Sequence, residues 1–200
     1  MPIIRKPEDR ITVMTFVDNL AKELKDKFYH HRRLEVEIDD REIGGARGWE
    51  WIKKGIPVRA EIGPRDIADN SVYVGRRDKG HSEKTSIKRN RFVEEITHLL
   101  DDIQQTLFDR ALLFRKTHSI NLDDKKDFYE FFTPENPDQP EIHGGFAWSH
   151  WCGEDHCESK IKEDLSVTIR CIPLSGPTEK GKCIYCGRPS SGRVVFAKAY

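Results

Sequence analysis

The 200-residue chain predicts an α/β protein in which a mostly parallel sheet is flanked by helices and followed by a smaller α+β domain built around cysteines. Three observations lead there. Two long stretches of helical apolar period open and divide the chain, short stretches of period-two alternation lie between them, and four of the five cysteines fall near the end as two close pairs.

From Glu8 to Phe28, the apolar residues Val13, Phe16, Val17, Leu20, Leu24 and Phe28 recur at intervals of three and four, which gathers them on one face of a helix. Pro7, Glu8 and Asp9 suit its start, where no amide partner is needed and acids meet the positive end of the helix dipole. Leu34, Val36 and Ile38 then alternate with Glu35, Glu37 and Asp39, predicting a strand with one buried face. The glycines of GGARGWEWIKKG, residues 44–55, loosen the chain before a short helix carrying Trp49 and Trp51. Strands at Val58–Ile62 and Val72–Val74 follow. The order helix, strand, helix, strand, strand over residues 1–80 is what suggests a largely parallel sheet.

A second long helix is predicted over Arg91–Lys116, with Phe92, Ile96, Leu99, Leu100, Ile103, Leu107, Leu112 and Phe114 as its apolar stripe. A shorter helix spans Asn121–Phe132 and stops at TPENPDQPE, residues 133–141, whose prolines cannot continue it. Strands at Val167–Leu174 and Val194–Ala197 complete the last part. These breaks divide the chain into residues 1–115, a helical and proline-rich linker at 116–141, and a C-terminal domain at 142–200.

Lys plus Arg equals Asp plus Glu at 34 each, so the chain has no global basic field and any nucleic-acid binding rests on local patches. No run approaches the length of an apolar membrane span, and the N-terminus lacks the apolar core of a signal peptide. A cytoplasmic location follows by default, where cysteines serve as metal ligands or core residues rather than in disulfides.

Cys152 and Cys157 are separated by four residues, Cys183 and Cys186 by two, and 25 residues lie between the pairs. This is the spacing of a four-cysteine zinc site, in which each pair forms a chelating knuckle and Gly153 and Gly187 permit the tight backbone beside the ligands. Four protein ligands leave no open position for water or substrate, so the zinc is structural. Cys171 reads as a small core residue on a strand, and His150 and His156 are the flanking groups able to replace a thiolate.

A basic patch in the first half contains Arg41, Arg47, Lys53, Lys54, Arg59, Arg65, Arg76, Arg77, Lys79 and Lys84 around strand ends and loops, with Trp49, Trp51 and Tyr73 interleaved. Arginines fork onto phosphates or guanine edges and aromatic rings stack on bases, so the patch suits RNA; a solvated surface with two core tryptophans has the same composition. The chain has no GxSxG elbow, HExxH helix or dinucleotide glycine loop, and GGARG is too short to count as a phosphate loop.

The strings PIIRKPED at 2–9, IDDREIGGARGWEWIKKGIPVRAEIGPRD at 38–66, VGRRD at 74–78, and HWCG, KIKEDLSVTIRCIP, KCIYCG and FAKAY further on resemble the C-terminal portion of prolyl-tRNA synthetases of the archaeal and eukaryotic-like type, a class II family. The resemblance implies an anticodon-binding domain over residues 1–115 with its closing helix, followed after the linker by a zinc-containing domain. It implies tRNA(Pro) as partner, a catalytic domain on the same or a separate chain, a homodimer in the full enzyme, and ATP used only through that catalytic domain. Alone, the chain is then expected to bind RNA without catalysing. The family reads the guanines of the proline anticodon with a glutamate on the short helix, an arginine where the next strand begins and a lysine further on. The arginine matches Arg59; the glutamate position falls on Ile52, with Glu50 the nearest carboxylate; and the lysine is placed at Lys84. Arg41, Arg76 and Arg77 complete the RNA-binding set. The resemblance begins inside what is the family's first strand, so that strand is short here, and Tyr200 matches a terminal tyrosine that approaches the catalytic domain. The alternative is a stand-alone zinc-containing protein-interaction module derived from the synthetase, which Ile52 and the balanced charge favour.

Overall fold

Two units, Met1–Arg110 and Ala111–Tyr200, emerge along the chain in a computed structural model that describes residues 1–41, 45–136, 138, 143–175 and 179–198. Tyr200 and residues 137 and 139–141 of the proline-rich break lie outside that set.

In the first unit a single turn at Pro7–Asp9 leads into α1 (Arg10–Lys25), which buries Val13, Val17, Leu20 and Leu24 as the apolar period requires. A small antiparallel hairpin follows, β1 (Phe28–Tyr29) and β2 (Arg32–Arg33), turned by His30 and His31 in the left-handed region. Then come α2 (Gly45–Lys53), β3 (Val58–Glu61), α3 (Pro64–Ala68), β4 (Ser71–Arg76), β5 (Lys84–Lys88) and α4 (Arg89–Thr117), whose last turns belong to the second unit. The sheet order is β3-β4-β5, and both pairings are antiparallel. This corrects the expectation of a mostly parallel sheet. A parallel return needs a crossover of a dozen or more residues, and the nine residues between β3 and β4, which hold only the five-residue α3, are too few. Among the described residues the first unit has one parallel pairing, the bridge between Pro2 and Ile62.

The predicted strand at residues 34–38 is also corrected. Leu34, Val36 and Ile38 are partly buried against the core while Glu35 and Glu37 are exposed, so the alternation correctly forecast which side chains turn inward. Among the described residues, however, the segment joins no ladder; its first amide, the Leu34 N–H, donates to the Lys27 carbonyl at 3.0 Å beside β1.

Strand alternation gives the sheet two chemically different faces. Val58, Ala60, Val72, Val74 and Ile87 join the core with α1 and with Phe92, Val93 and Ile96 of α4. The other face carries Arg59, Glu61, Tyr73, Gly75, Lys84 and Ser86, in register as Arg59–Gly75–Lys84 and Glu61–Tyr73–Ser86.

Beside the sheet, buried Asp39 collects a charged knot. Its carboxylate accepts hydrogen bonds from the Trp51 indole at 2.6 Å and from Arg41 Nε and Nη2, each at 2.9 Å, while buried Arg47 donates to the Pro2 carbonyl at 3.0 Å. The Arg41 guanidinium, with the Trp51 N–H adding to it, holds the Asp39 carboxyl well below the usual carboxylate range. A depressed carboxyl pKa gives stability that is present above the unfolded value near 4 and is lost as pH falls below it. Asp39→Ala is therefore expected to cost about 3 kcal/mol at pH 7, since it strands a buried indole N–H, and only somewhat less at pH 3, where the folded carboxyl is still ionised. Urea midpoints of the two proteins at both pH values check this.

The second unit starts with β6 (Ser119–Asn121) and α5 (Lys125–Phe132). Asp124 caps α5, its carboxylate accepting from the amides of Lys126 at 2.7 Å and Asp127 at 3.2 Å. The helix begins later than its sequence pattern suggests, because residues 119–121 pair with the next strand. Then follow β7 (Phe146–His150), α6 (Asp155–Leu165), β8 (Val167–Cys171), β9 (Gly181–Lys182), β10 (Pro189–Ser190) and β11 (Arg193–Lys198). The main sheet runs β6-β7-β11-β8, with β6 parallel to β7 and the other pairs antiparallel; β9 and β10 form a separate hairpin. Phe128, Phe132 and Phe196 fill its core with edge-to-face rings about Ile161 and Val167. Cys171 is exposed rather than a core residue: it is the last residue of β8, and the register shift at Val195 and Phe196 breaks the inward alternation there. No described helix is long and apolar enough to cross a membrane.

Candidate metal centre and nucleic-acid interface

The four paired cysteines come together. Cys152 lies in the turn after β7, Cys157 in the first turn of α6, Cys183 directly after β9 and Cys186 in the turn before β10, and their ligand atoms all lie within 4.8 Å of one another. Cys152 Sγ is 3.7 Å from Cys157 Sγ and 3.8 Å from Cys186 Sγ. A tetrahedron with metal–sulfur bonds of about 2.3 Å has edges of about 3.8 Å, which these two separations match. The group can hold a metal ion.

Local backbone explains the closeness. The Cys183 N–H donates to the Arg188 carbonyl at 2.8 Å and the Gly187 N–H to the Cys183 carbonyl at 2.9 Å, closing one knuckle, and the Ile184 N–H ties it to the His150 carbonyl of β7 at 2.9 Å. Gly153 (φ +88°) and Gly187 (φ +74°) hold the left-handed turns beside Cys152 and Cys186 that a side chain disfavours. Burial pushes the Cys157 thiol up to about 12, whereas the Arg188 guanidinium draws Cys186 down to about 6. Arg188 donates to Cys186 Sγ at 3.4 Å and to Cys152 Sγ at 3.7 Å, and its Nη1 lies 3.5 Å from the Glu154 carboxylate. The flanking histidines stand apart: His150 is buried with Nδ1 3.3 Å from Ser190 Oγ, and the His156 ring centre is 6.4 Å from that of Tyr185.

Four thiolates around a divalent ion carry net negative charge, which Arg188 offsets from outside the ligand shell. Arg188→Ala is expected to weaken metal binding by about tenfold or more, measured by competition with a chromogenic chelator.

The polar face of the first unit's sheet is the second candidate site. Gly75 has no side chain, and a Cβ there would meet Arg59 Nη2 at 3.1 Å and Lys84 Cγ at 3.5 Å, so the Arg59 guanidinium lies across the glycine beside Lys84. Arg59 is only 6% exposed, and its Nη1 has no hydrogen-bond partner among the described residues. Lys84 Nζ pairs with Glu61 at 2.7 Å and lies 5.7 Å from the centre of the half-exposed Tyr73 ring. On α2, half-exposed Trp49 stacks on His81 with centroids 4.6 Å apart and planes 9° from parallel.

The basic residues expected here separate into two groups. Arg59 and Lys84 share the polar face with Tyr73. Arg41 is paired with Asp39 and, at 2.8 Å, with Glu50, so those two join each other at α2. Arg77 donates to the Gly55 carbonyl at 2.8 Å. Arg76 points to the opposite face, where it binds Asp78 at 2.7 Å and Asp102 of α4 at 2.6 Å. Trp51 is buried, with Lys54 Nζ 4.2 Å from its ring centre. Gly75, Glu61 and His81 escaped the reading of the sequence; a glycine inside a strand pattern is the signal of close approach that marks Gly75.

A sheet face carrying a buried arginine beside a lysine is joined in one chain to a four-cysteine centre that can hold a metal ion. Residues 3–99 match the family described as "Anticodon binding domain", and residues 139–200 match "Prolyl-tRNA synthetase, C-terminal". The whole chain is 46% identical to "Proline--tRNA ligase 2" of Anaeromyxobacter dehalogenans and 41% identical to the "Proline--tRNA ligase" of Protochlamydia amoebophila, covering 40% of each relative. The corresponding protein of Bdellovibrio bacteriovorus is 41% identical over the whole chain, which covers 39% of that relative. The chain thus carries the anticodon-binding and C-terminal domains of the prolyl-tRNA synthetase family and spans about 40% of the length of these curated relatives.

Proposed function

We propose that this chain binds the anticodon of tRNA(Pro) and forms the zinc-braced C-terminal part of a cytoplasmic prolyl-tRNA synthetase. The parent reaction, joining proline to tRNA with ATP, belongs to a catalytic domain on the same or a separate chain, and residues 1–115, 116–141 and 142–200 act as anticodon-binding domain, linker and zinc domain. One observation supports the reading above the others: the Arg59 guanidinium lies over Gly75 beside Lys84, with an N–H group that no described residue accepts. A buried polar group without a partner has a reason, and a guanine edge, with two acceptors spaced for an arginine fork, supplies one. Glu50 of α2 is the carboxylate nearest the family's glutamate position and is paired with Arg41, and Arg77 adds charge for phosphates.

Zinc is assigned because it accepts four thiolates in a closed tetrahedron and has no redox chemistry to manage, which suits a structural role. Filter-binding titrations of the purified chain against tRNA(Pro), and against versions with each anticodon guanine replaced, test the proposal at two salt concentrations. Selective binding whose affinity falls as salt rises is expected. Equal binding to every RNA at both salts sinks the proposal.

A further inference from the structure

The two tryptophans of α2 sit two positions apart and so point about 200° from one another around the helix axis. Trp51 is buried and donates its indole N–H to Asp39, whereas Trp49 is 50% exposed. A tryptophan left half in water on a helix surface calls for a reason, because its ring otherwise supplies a large apolar area to a core.

The Trp49 ring is held flat. The His81 imidazole, from the connection between β4 and β5, lies on it with centroids 4.6 Å apart and planes 9° from parallel, and also lies against α2 at Gly48, where a Cβ would meet His81 Nε2 at 3.6 Å. Both supports are tied down. The Arg77 guanidinium donates to the Gly55 carbonyl at 2.8 Å, fastening the chain after α2 to the end of β4, and the Glu83 N–H donates to the Gly80 carbonyl at 3.0 Å, closing the turn that carries His81. His81 is itself exposed, so the stacked pair offers ring surface to solvent. Its place in the unit gives that surface a use. Arg59 is the second residue of β3, Gly75 the next to last of β4 and Lys84 the first of β5, so these three stand at the end of the sheet that α2 and the β4–β5 connection adjoin. Lys53, one turn along α2 from Trp49 on the same side, and Lys79 of the connection are exposed and bring positive charge for phosphates.

We propose that Trp49, held flat by His81, is a stacking platform for one unpaired base of the bound RNA, a base other than the guanine read by Arg59, and that it takes this base by its face whatever its identity. Every base has a π-face, so an exposed aromatic ring beside basic side chains grips a single strand without choosing among sequences. The proposal rests on the anticodon reading above for its RNA and adds a contact of another kind: Arg59 discriminates through a base edge, while the platform adds affinity.

The test uses tRNA(Pro) made abasic at each anticodon-loop position in turn, titrated with the unsubstituted chain, Trp49→Ala and Trp49→Phe. One abasic position is expected to weaken binding by the unsubstituted chain about 5- to 150-fold and binding by Trp49→Ala less than about twofold, whereas exchanging that base for any other changes the affinity of the unsubstituted chain less than about threefold. Trp49→Phe keeps a ring and is expected to keep most of the abasic effect, and its urea midpoint, like that of Trp49→Ala, should match the unsubstituted chain because half of this side chain already lies in water. If every abasic position costs the three proteins alike, or if none of them binds the RNA, the platform is overturned. Guanine replacements in the same series keep the two readings apart. Guanine discrimination without a Trp49-dependent abasic effect sinks the platform alone; a Trp49-dependent abasic effect without guanine discrimination sinks the anticodon reading and leaves the platform as a contact for single-stranded RNA in general.

Discussion

Stripping the metal with a chelator is expected to unfold residues 142–200 while the first unit keeps its structure. A closed four-thiolate zinc site supplies about 10 kcal/mol or more of binding free energy at neutral pH, and a domain's whole stability is about 5 to 15 kcal/mol. The elements that carry the ligands are slight by themselves: β9 and β10 have two residues each, and Cys152 sits in a turn. Cys157→Ser and Cys183→Ala should reproduce the effect, since both thiols are buried and neither replacement restores a soft ligand. Far-ultraviolet circular dichroism and limited proteolysis read the loss, and zinc but not magnesium should reverse it in the unsubstituted chain. Unchanged protease resistance of residues 142–200 after chelation contradicts the structural role.

Arg59→Ala is expected to cut affinity for tRNA(Pro) by about 5- to 150-fold, equivalent to about 1 to 3 kcal/mol, and to abolish most discrimination at one anticodon guanine. Arg59→Lys should fall short as well, because an ammonium cannot fork onto two acceptors. Fold stability provides the control. Burial lowers the Arg59 pKa, and Nη1 has no acceptor among the described residues, so the folded protein gains little from this guanidinium. Loss of RNA selectivity without a large fall in urea midpoint is the expected pattern. Gly75→Val should resemble it, since a side chain there collides with the same guanidinium.

The features legible in the sequence are those set by local spacing. The period of α1, the inward side chains of residues 34–38 and the two cysteine pairs all follow from residues a few positions apart. What the sequence hid depends on pairing between distant segments. Nothing in Leu34–Ile38 says whether a strand will lie beside it, and the sense of the β3–β4 return rests on the short connection holding α3, a helix of five residues. β5 escaped because KTSIK offers one strongly apolar residue, Ile87. Arg59 and Arg76 look alike as letters; strand register puts the first on the polar face and the second against Asp78 and Asp102. Cys171 read as a core residue because its alternation was counted without the bulge opposite it.

A double-mutant cycle between protein and RNA tests the central claim most directly: Arg59→Ala and unsubstituted chain, each titrated with tRNA(Pro) and with RNA carrying a replaced anticodon guanine, at fixed salt. If Arg59 reads a guanine, one replacement costs the unsubstituted chain about 1 to 3 kcal/mol and costs Arg59→Ala almost nothing. Equal costs in both proteins for every anticodon position would show that Arg59 does not read the anticodon.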